Sequence, residues 1–200
     1  MLLNEPYFVF FDYICRMLSI RRIQRWLKGV GHLRGFGIQS PFAYSLLRDV
    51  FDERAPYYKY VELDQQFPSL TRRKKKILRL LFRLANHLQA PSYYVDSHLD
   101  RAVPSFIHAG SLRSRPVTRP SEASFCIFSS HSTSALDDFM NTVDNSKVLV
   151  LFDIYTKGEK NDVWSRVLAS EKVKVTFDFY TFGVAFYKAS LHRNDYILNF

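Results

Sequence analysis

Apolar and polar positions change register several times along this chain, and each change marks an element. From Lys147 the chain runs Val148, Leu149, Val150, Leu151 and Phe152 without a polar interruption, then reaches Asp153. An apolar run of this length, rich in branched residues, predicts a strand covered on both faces, as in a parallel sheet. Residues 161–170 place Val163, Trp164, Val167 and Leu168 on one side of a helix. Residues 173–180 alternate by twos, Thr181, Phe182 and Gly183 carry a break, and 184–187 are apolar again. The order is buried strand, crossover helix, strand, tight turn, strand. The last two strands run antiparallel, because so short a turn cannot make a crossover.

Upstream, residues 19–30 read as a basic amphipathic helix. Ile20, Ile23, Trp26 and Leu27 share a face, and Arg21, Arg22, Arg25 and Lys28 lie off it. Ser40 and Pro41 form a helix start, cap followed by proline at the first helical position, and that helix continues to about Phe51. The tyrosine-rich stretch 57–63 fits either helix or strand. Residues 71–88 are the clearest helix, with Ile77, Leu78, Leu81, Leu84, Ala85 and Leu88 at helical spacing. A short strand at 93–95 ends near Asp96. A helix within 97–109 is permitted only if it begins close to Pro104. Residues 111–122 are a loop with three arginines and two prolines. A second buried strand at 124–129 and a helix at 134–143 lead into the central strand. Residues 1–90 thus form a helical N-terminal extension with a lead-in helix, and 91–200 an α/β core, in one compact unit. The aromatic residues 1–16 are either an extra packed helix or, if translation starts at Met17 and not Met1, a segment ahead of the start.

Hydrophobic content of 47% and aromatic content of 16% exclude a disordered chain. The formal charge of +9 suits an acidic partner: nucleic acid, an anionic membrane or a phosphorylated metabolite. Beside Arg21, Arg22 and Arg25, the cations concentrate at Arg72, Arg73, Lys74, Lys75 and Lys76. That run opens a helix, where each exposed positive charge opposes the macrodipole by about a few tenths of a kcal/mol. It is either a solvated face or a docking patch for an acidic partner or nucleic acid. The two cysteines, Cys15 and Cys126, have no C-x-x-C spacing, so no structural zinc is expected. Thiols in apolar surroundings fit a reducing compartment. No apolar run approaches the roughly 20 residues a membrane span needs. The expected location is cytoplasmic.

Three stretches together resemble a bacterial class I S-adenosylmethionine-dependent methyltransferase-like family. GFGIQSPFAY at 35–44 resembles the family's N-terminal Ser-Pro-Phe motif, with Gln39 where a histidine is usual. RLLFRLANHLQAPSYYV at 79–95 is similar to the helix leading into the family's first core strand. Within 124–188, FCIFSSHSTSALDDFM, LVLFDIYTKGEKNDVW and VKVTFDFYTFGVAFYK resemble the fourth strand, the fifth strand and the terminal hairpin. The resemblance implies a reduced Rossmann-like methyltransferase sheet, mostly parallel with a C-terminal antiparallel hairpin. It also implies S-adenosylmethionine as cofactor, placed against Asp96 and Ser97.

The chain departs from the family at that cofactor. The family's first strand is followed by a glycine-rich turn, which lets the backbone bend sharply beside the ligand. Here the turn falls at 96–101 and has no glycine. Three further βα units of about 30 residues each would need roughly twice the length between Tyr93 and Lys147. About two strands and their helices are therefore expected to be missing, on the cofactor side. His131 and Asp153 follow strand ends and are the candidate catalytic pair, as base and orienter or as metal ligands. As the alternative, Asp153 caps a turn and His131 is an ordinary loop residue. His98, Asp100 and His108 form a weaker metal candidate. The hairpin aromatics read as packing, with a dimer contact through the hairpin edge as a further expectation. The functional expectation is a methyltransferase-like scaffold or binding protein that has lost conventional S-adenosylmethionine binding. The alternatives are an active methyltransferase with an altered pocket and a basic nucleic-acid-binding module.

Overall fold

The computed structural model describes residues 38–144, 146–156 and 159–199. The basic helix with Arg21, Arg22 and Arg25, and the choice between Met1 and Met17, lie outside the described residues. Helix α1 (Pro41–Leu46) begins as its sequence dictates, with Ser40 Oγ accepting from the Ala43 N–H at 3.3 Å. It widens into a π-helical turn at Leu47–Phe51. Buried Arg83 takes up that turn's last carbonyls: Nε donates to Val50 O at 2.6 Å and Nη2 to Phe51 O at 3.5 Å. The tyrosine-rich stretch resolves as helix α2 (Lys59–Gln66). Tyr60 and Leu63 enter the core while Tyr58 and Val61 face solvent, a helical division rather than a strand's.

Helix α3 (Arg72–Leu88) is capped by Thr71, whose Oγ1 accepts from the Lys74 N–H at 3.3 Å. Strand β1 (Ser92–Val95) leads to α4 (Ala102–Gly110), with Pro104 inside the first turn. Gly110 lets α4 lie close on α3, since a Cβ there would sit 2.3 Å from the Phe82 carbonyl oxygen. Within the predicted loop lie a two-residue strand, β2 (Arg115–Pro116), and a 3-10 turn at Pro120–Glu122. Then follow β3 (Phe125–Ser129), α5 (Thr133–Thr142), β4 (Val148–Phe152), a small hairpin of β5 (Tyr155–Thr156) and β6 (Glu159–Lys160), and α6 (Asp162–Ala169). The chain closes with β7 (Val175–Asp178), β8 (Phe182–Phe186) and β9 (Asn194–Ile197).

Seven strands form one sheet in the order β2-β1-β3-β4-β8-β7-β9. The first four are parallel, β8 is antiparallel to both β4 and β7, and β9 runs parallel to β7. Alternation sends Phe125, Ile127, Val148 and Val150 to the face covered by α1 to α4. Cys126, Phe128, Leu149 and Leu151 go to the face covered by α5 and α6. This is a three-layer Rossmann-like α/β sheet, mostly parallel, with an antiparallel hairpin near its C-terminus. Between β1 and β3 the chain has only α4, the short β2 and the 3-10 turn. No helix of the described residues is long and apolar enough to cross a membrane.

The structure differs from two of these expectations. The hairpin turns at 179–181, not at Gly183: Tyr180 has φ 70°, and Phe182 and Gly183 already pair with Asp178 and the residues of β4. Gly183 serves packing instead, because a Cβ there would lie 2.5 Å from the buried Trp164 ring. Nor does the hairpin form the sheet edge. β9 pairs along β7, and Phe177, Phe179, Phe182, Phe186 and Tyr187 are all buried. The hairpin strands therefore offer no free edge, and that side of the sheet ends at β9.

Candidate functional site

The chain leaves β1 through α4 to β2 on one side, while β3 lies on the other. The point between β1 and β3 is thus a topological switch, and ligands in open α/β sheets bind outside the strands' carboxyl ends at such a place. Asp96 stands there, following β1, with 2% of its surface exposed. Its Oδ1 accepts from the His98 backbone N–H at 3.1 Å and lies 2.9 Å from His98 Nδ1. Its Oδ2 accepts from the Ser129 N–H at 3.0 Å, at the end of β3. One carboxylate therefore ties the turn after β1 to the neighbouring strand. Burial pushes the Asp96 carboxyl upward, but the Ser129 amide and the His98 ring and amide outweigh it and hold it below the usual carboxylate range.

The His98 ring is 61% exposed. With Nδ1–H donating to Asp96, the neutral ring keeps Nε2 as an acceptor. Ser132 Oγ also approaches Nδ1, at 3.2 Å. A nucleophile relay needs serine and carboxylate on opposite ring nitrogens, so these three residues are not a catalytic triad. The rest of the turn is committed to structure. The Leu99 N–H donates to Asp96 O, and Asp100 Oδ1 accepts from the Ala102 N–H at 3.0 Å, starting α4. Ser97 is exposed on the same turn.

His131 follows β3, exposed, its N–H donating to Ser129 Oγ at 3.4 Å. Asp153 follows β4 with φ 57°, a left-handed conformation that Asp tolerates better than most residues. Its N–H donates to Thr181 O at 2.8 Å, and its carbonyl accepts from Asn161 Nδ2 at 2.6 Å. No hydrogen bond joins His131 to Asp153; the acid–imidazole pair the structure makes is Asp96 with His98. Sequence reasoning passed over that pair, although D-x-H directly after a strand end is the spacing at which a carboxylate can take the backbone N–H two residues on. Among the described residues no three His, Cys, Asp or Glu side chains converge on a metal position, so His98, Asp100 and His108 do not gather.

The first turn of α3 stands on the same edge. Arg73 Nη2 donates to Thr181 Oγ1 at 2.9 Å, and Lys74 Nζ pairs with Asp100 at 3.0 Å. Lys75 reaches the other flank, where Asp64 is shared with Arg79. Beyond Thr181, buried Asp178 accepts from Tyr155 Oη at 2.8 Å and from the Tyr180 N–H at 2.9 Å. The rings of Tyr155 and Tyr180 lie 4.8 Å apart.

No protein-family model matches the chain, and no curated protein matches it. Among solved structures, the chain is similar to a methyltransferase from Geobacter sulfurreducens. The identity is 12%, over 72% of this chain and 96% of that one, with a TM-score of 0.44.

Proposed function

We propose that this chain is a methyltransferase-like protein that does not hold S-adenosylmethionine in the family's manner and works as a scaffold or binding protein. The observation that carries this reading is the occupation of the switch point by the chain's own groups. Asp96, the residue aligned for cofactor contact together with Ser97, uses both carboxylate oxygens on His98 and Ser129. The turn that should approach a ligand with bare backbone carries a side chain at every position from Asp96 to Arg101. The family that the sequence resembles ends its second strand in an acid that binds the ribose; here that strand is only Arg115–Pro116, followed by Val117 and Thr118. These residues do not fit the cofactor as the resemblance would place it.

Isothermal titration calorimetry with S-adenosylmethionine tests the reading. No saturable heat is expected at micromolar ligand; a clear micromolar isotherm sinks the scaffold. The second reading, a working enzyme with an altered pocket, is favoured by one observation. His98 is oriented by a buried carboxylate and presented at the switch point, as a general base is. In that reading His131 and Asp153, on the loops after β3 and β4, flank the same crevice as further catalytic candidates.

A further inference from the structure

The turn that joins α4 to β2 holds an apolar side chain in water on a rigid base, and no part of the candidate site uses it. Ser111 and Ser114 close the turn, the Ser114 N–H donating to Ser111 O at 3.1 Å. Both serines are buried. Ser114 Oγ donates to Ala90 O, Ser111 Oγ donates to Gln89 Oε1 at 3.4 Å, and the two hydroxyl oxygens lie 2.9 Å apart. The Ser111 N–H ends α4 on Ile107 O, and the Arg115 N–H starts β2 on Pro91 O. The base is therefore tied to the ends of α3 and α4 and to the approach to β1. The tip is Leu112 and Arg113. Leu112 is 69% exposed. Arg113 and Arg115 are exposed and form no ion pair with a described residue. From Arg101 to Ser121 the chain has four arginines and no acidic residue, so nothing nearby in sequence neutralises them.

The chemistry of this tip selects its partner. A single nucleic-acid strand asks for aromatic faces beside the cations, and none of residues 111–119 is aromatic. A peptide adding to the sheet asks for free N–H groups along β2, the last strand on that side among the described residues. The Arg115 and Val117 N–H groups are spent on Pro91 O and Tyr93 O, and Pro116 between them has none. An aliphatic side chain at the tip of a turn, with cations beside it, matches a bilayer interface. The apolar group enters the acyl boundary and the guanidinium groups stay with anionic headgroups. We propose that the turn at 111–114 docks the protein on an anionic lipid surface, with Leu112 inserted and Arg113 and Arg115 on headgroups. This goes beyond the reading above and does not depend on it, since cofactor loss and lipid docking are separate properties.

Sedimentation of the full chain with mixed phosphatidylglycerol–phosphatidylcholine vesicles tests it. The chain should bind these vesicles, bind pure phosphatidylcholine far more weakly, and lose affinity as salt rises. Leu112→Ser should weaken binding about tenfold, through loss of the inserted apolar group. Arg113→Gln with Arg115→Gln should weaken it about twentyfold, at about fivefold for each arginine near an anionic surface. Both variants should melt as the parent does, because these side chains hold nothing else in place. Arg72→Gln, at the other end of α3, should bind as the parent does. Failure to bind anionic vesicles overturns the proposal. So does a Leu112→Ser variant that binds as tightly as the parent, which leaves charge attraction alone. An equal loss in Arg72→Gln overturns it in favour of the field of the whole protein. If the double arginine variant keeps vesicle binding but loses binding of polyglutamate, the tip serves an acidic protein partner and the proposal fails. A chain that binds both S-adenosylmethionine and anionic vesicles overturns only the scaffold reading.

Discussion

Asp96 keeps a negative charge at a position nearly closed to solvent, and it can do so because three donors converge on it. Its folded pKa lies below its unfolded value of about 3.9, so the charge contributes stability above that value. The contribution is lost as pH falls through the folded pKa. Asp96→Asn removes the charge but nearly keeps the shape. It should cost about 1.5–3 kcal/mol at neutral pH, the usual worth of hydrogen bonds to a charged group. The gap between parent and variant should close in acid. Urea denaturation over a pH series from about 7 down through the unfolded value of about 3.9 measures it; a gap that does not begin to narrow below that value would mean the carboxylate's charge does not matter.

Among the elements, β8 and α6 show how one position serves two layers. Trp164 is fully buried, and its ring lies over Gly183, where the sheet offers it bare backbone. An added methyl must move the indole or the strand. Gly183→Ala should therefore destabilise the protein by about 1–3 kcal/mol, the usual cost of overpacking. A thermal melt unchanged from the parent would show that the indole yields freely. The π-helical turn after α1 has a comparable dependence on a distant residue. Its carbonyls are met by Arg83 from the middle of α3, a contact that links residues far apart in sequence.

For the molecule as a whole, β9 closes one side of the sheet. Its residues take the outer groups of β7, with Asn194 N–H donating to Lys174 O and Leu198 N–H to Asp178 O. Tyr196 stacks on Phe177 at 5.4 Å, and Thr176 Oγ1 donates to Asp195 Oδ1 at 2.6 Å. Truncation after Lys188 strips this cover and leaves a β7 edge flanked by aromatic residues. Such an edge pairs with other chains. The truncated protein should melt lower and elute earlier from a sizing column; elution as the parent's monodisperse peak would show that β7 needs no cover.

Much of this was written in the sequence, because burial imposes a period that local reading can recover. The run at 148–152 is apolar throughout because both faces of β4 are covered; β7 alternates in sequence, although its polar Thr176 and Asp178 are buried as well. Helix α3 follows its spacing from Ile77 onward, and Ser40, Pro41 and Thr71 mark helix starts with side chains that act only on nearby amides. The absence of glycine from 96–101 and the shortness of the link from β1 to β3 were equally legible. Tertiary structure alone decided which groups meet across long separations. The tyrosine-rich stretch 57–63 fits two periods; Tyr57 and Tyr60 pack on Phe82, and the helix begins at Lys59. Gly183 read as a turn because sequence cannot distinguish a glycine that frees the backbone from one that makes room for an indole. Asp96 became the centre of the candidate site through an amide 33 positions away, and the cations of α3 joined it because that helix happens to begin on the strands' carboxyl edge. Neither contact leaves a local pattern, since each depends on the order in which the strands are laid side by side.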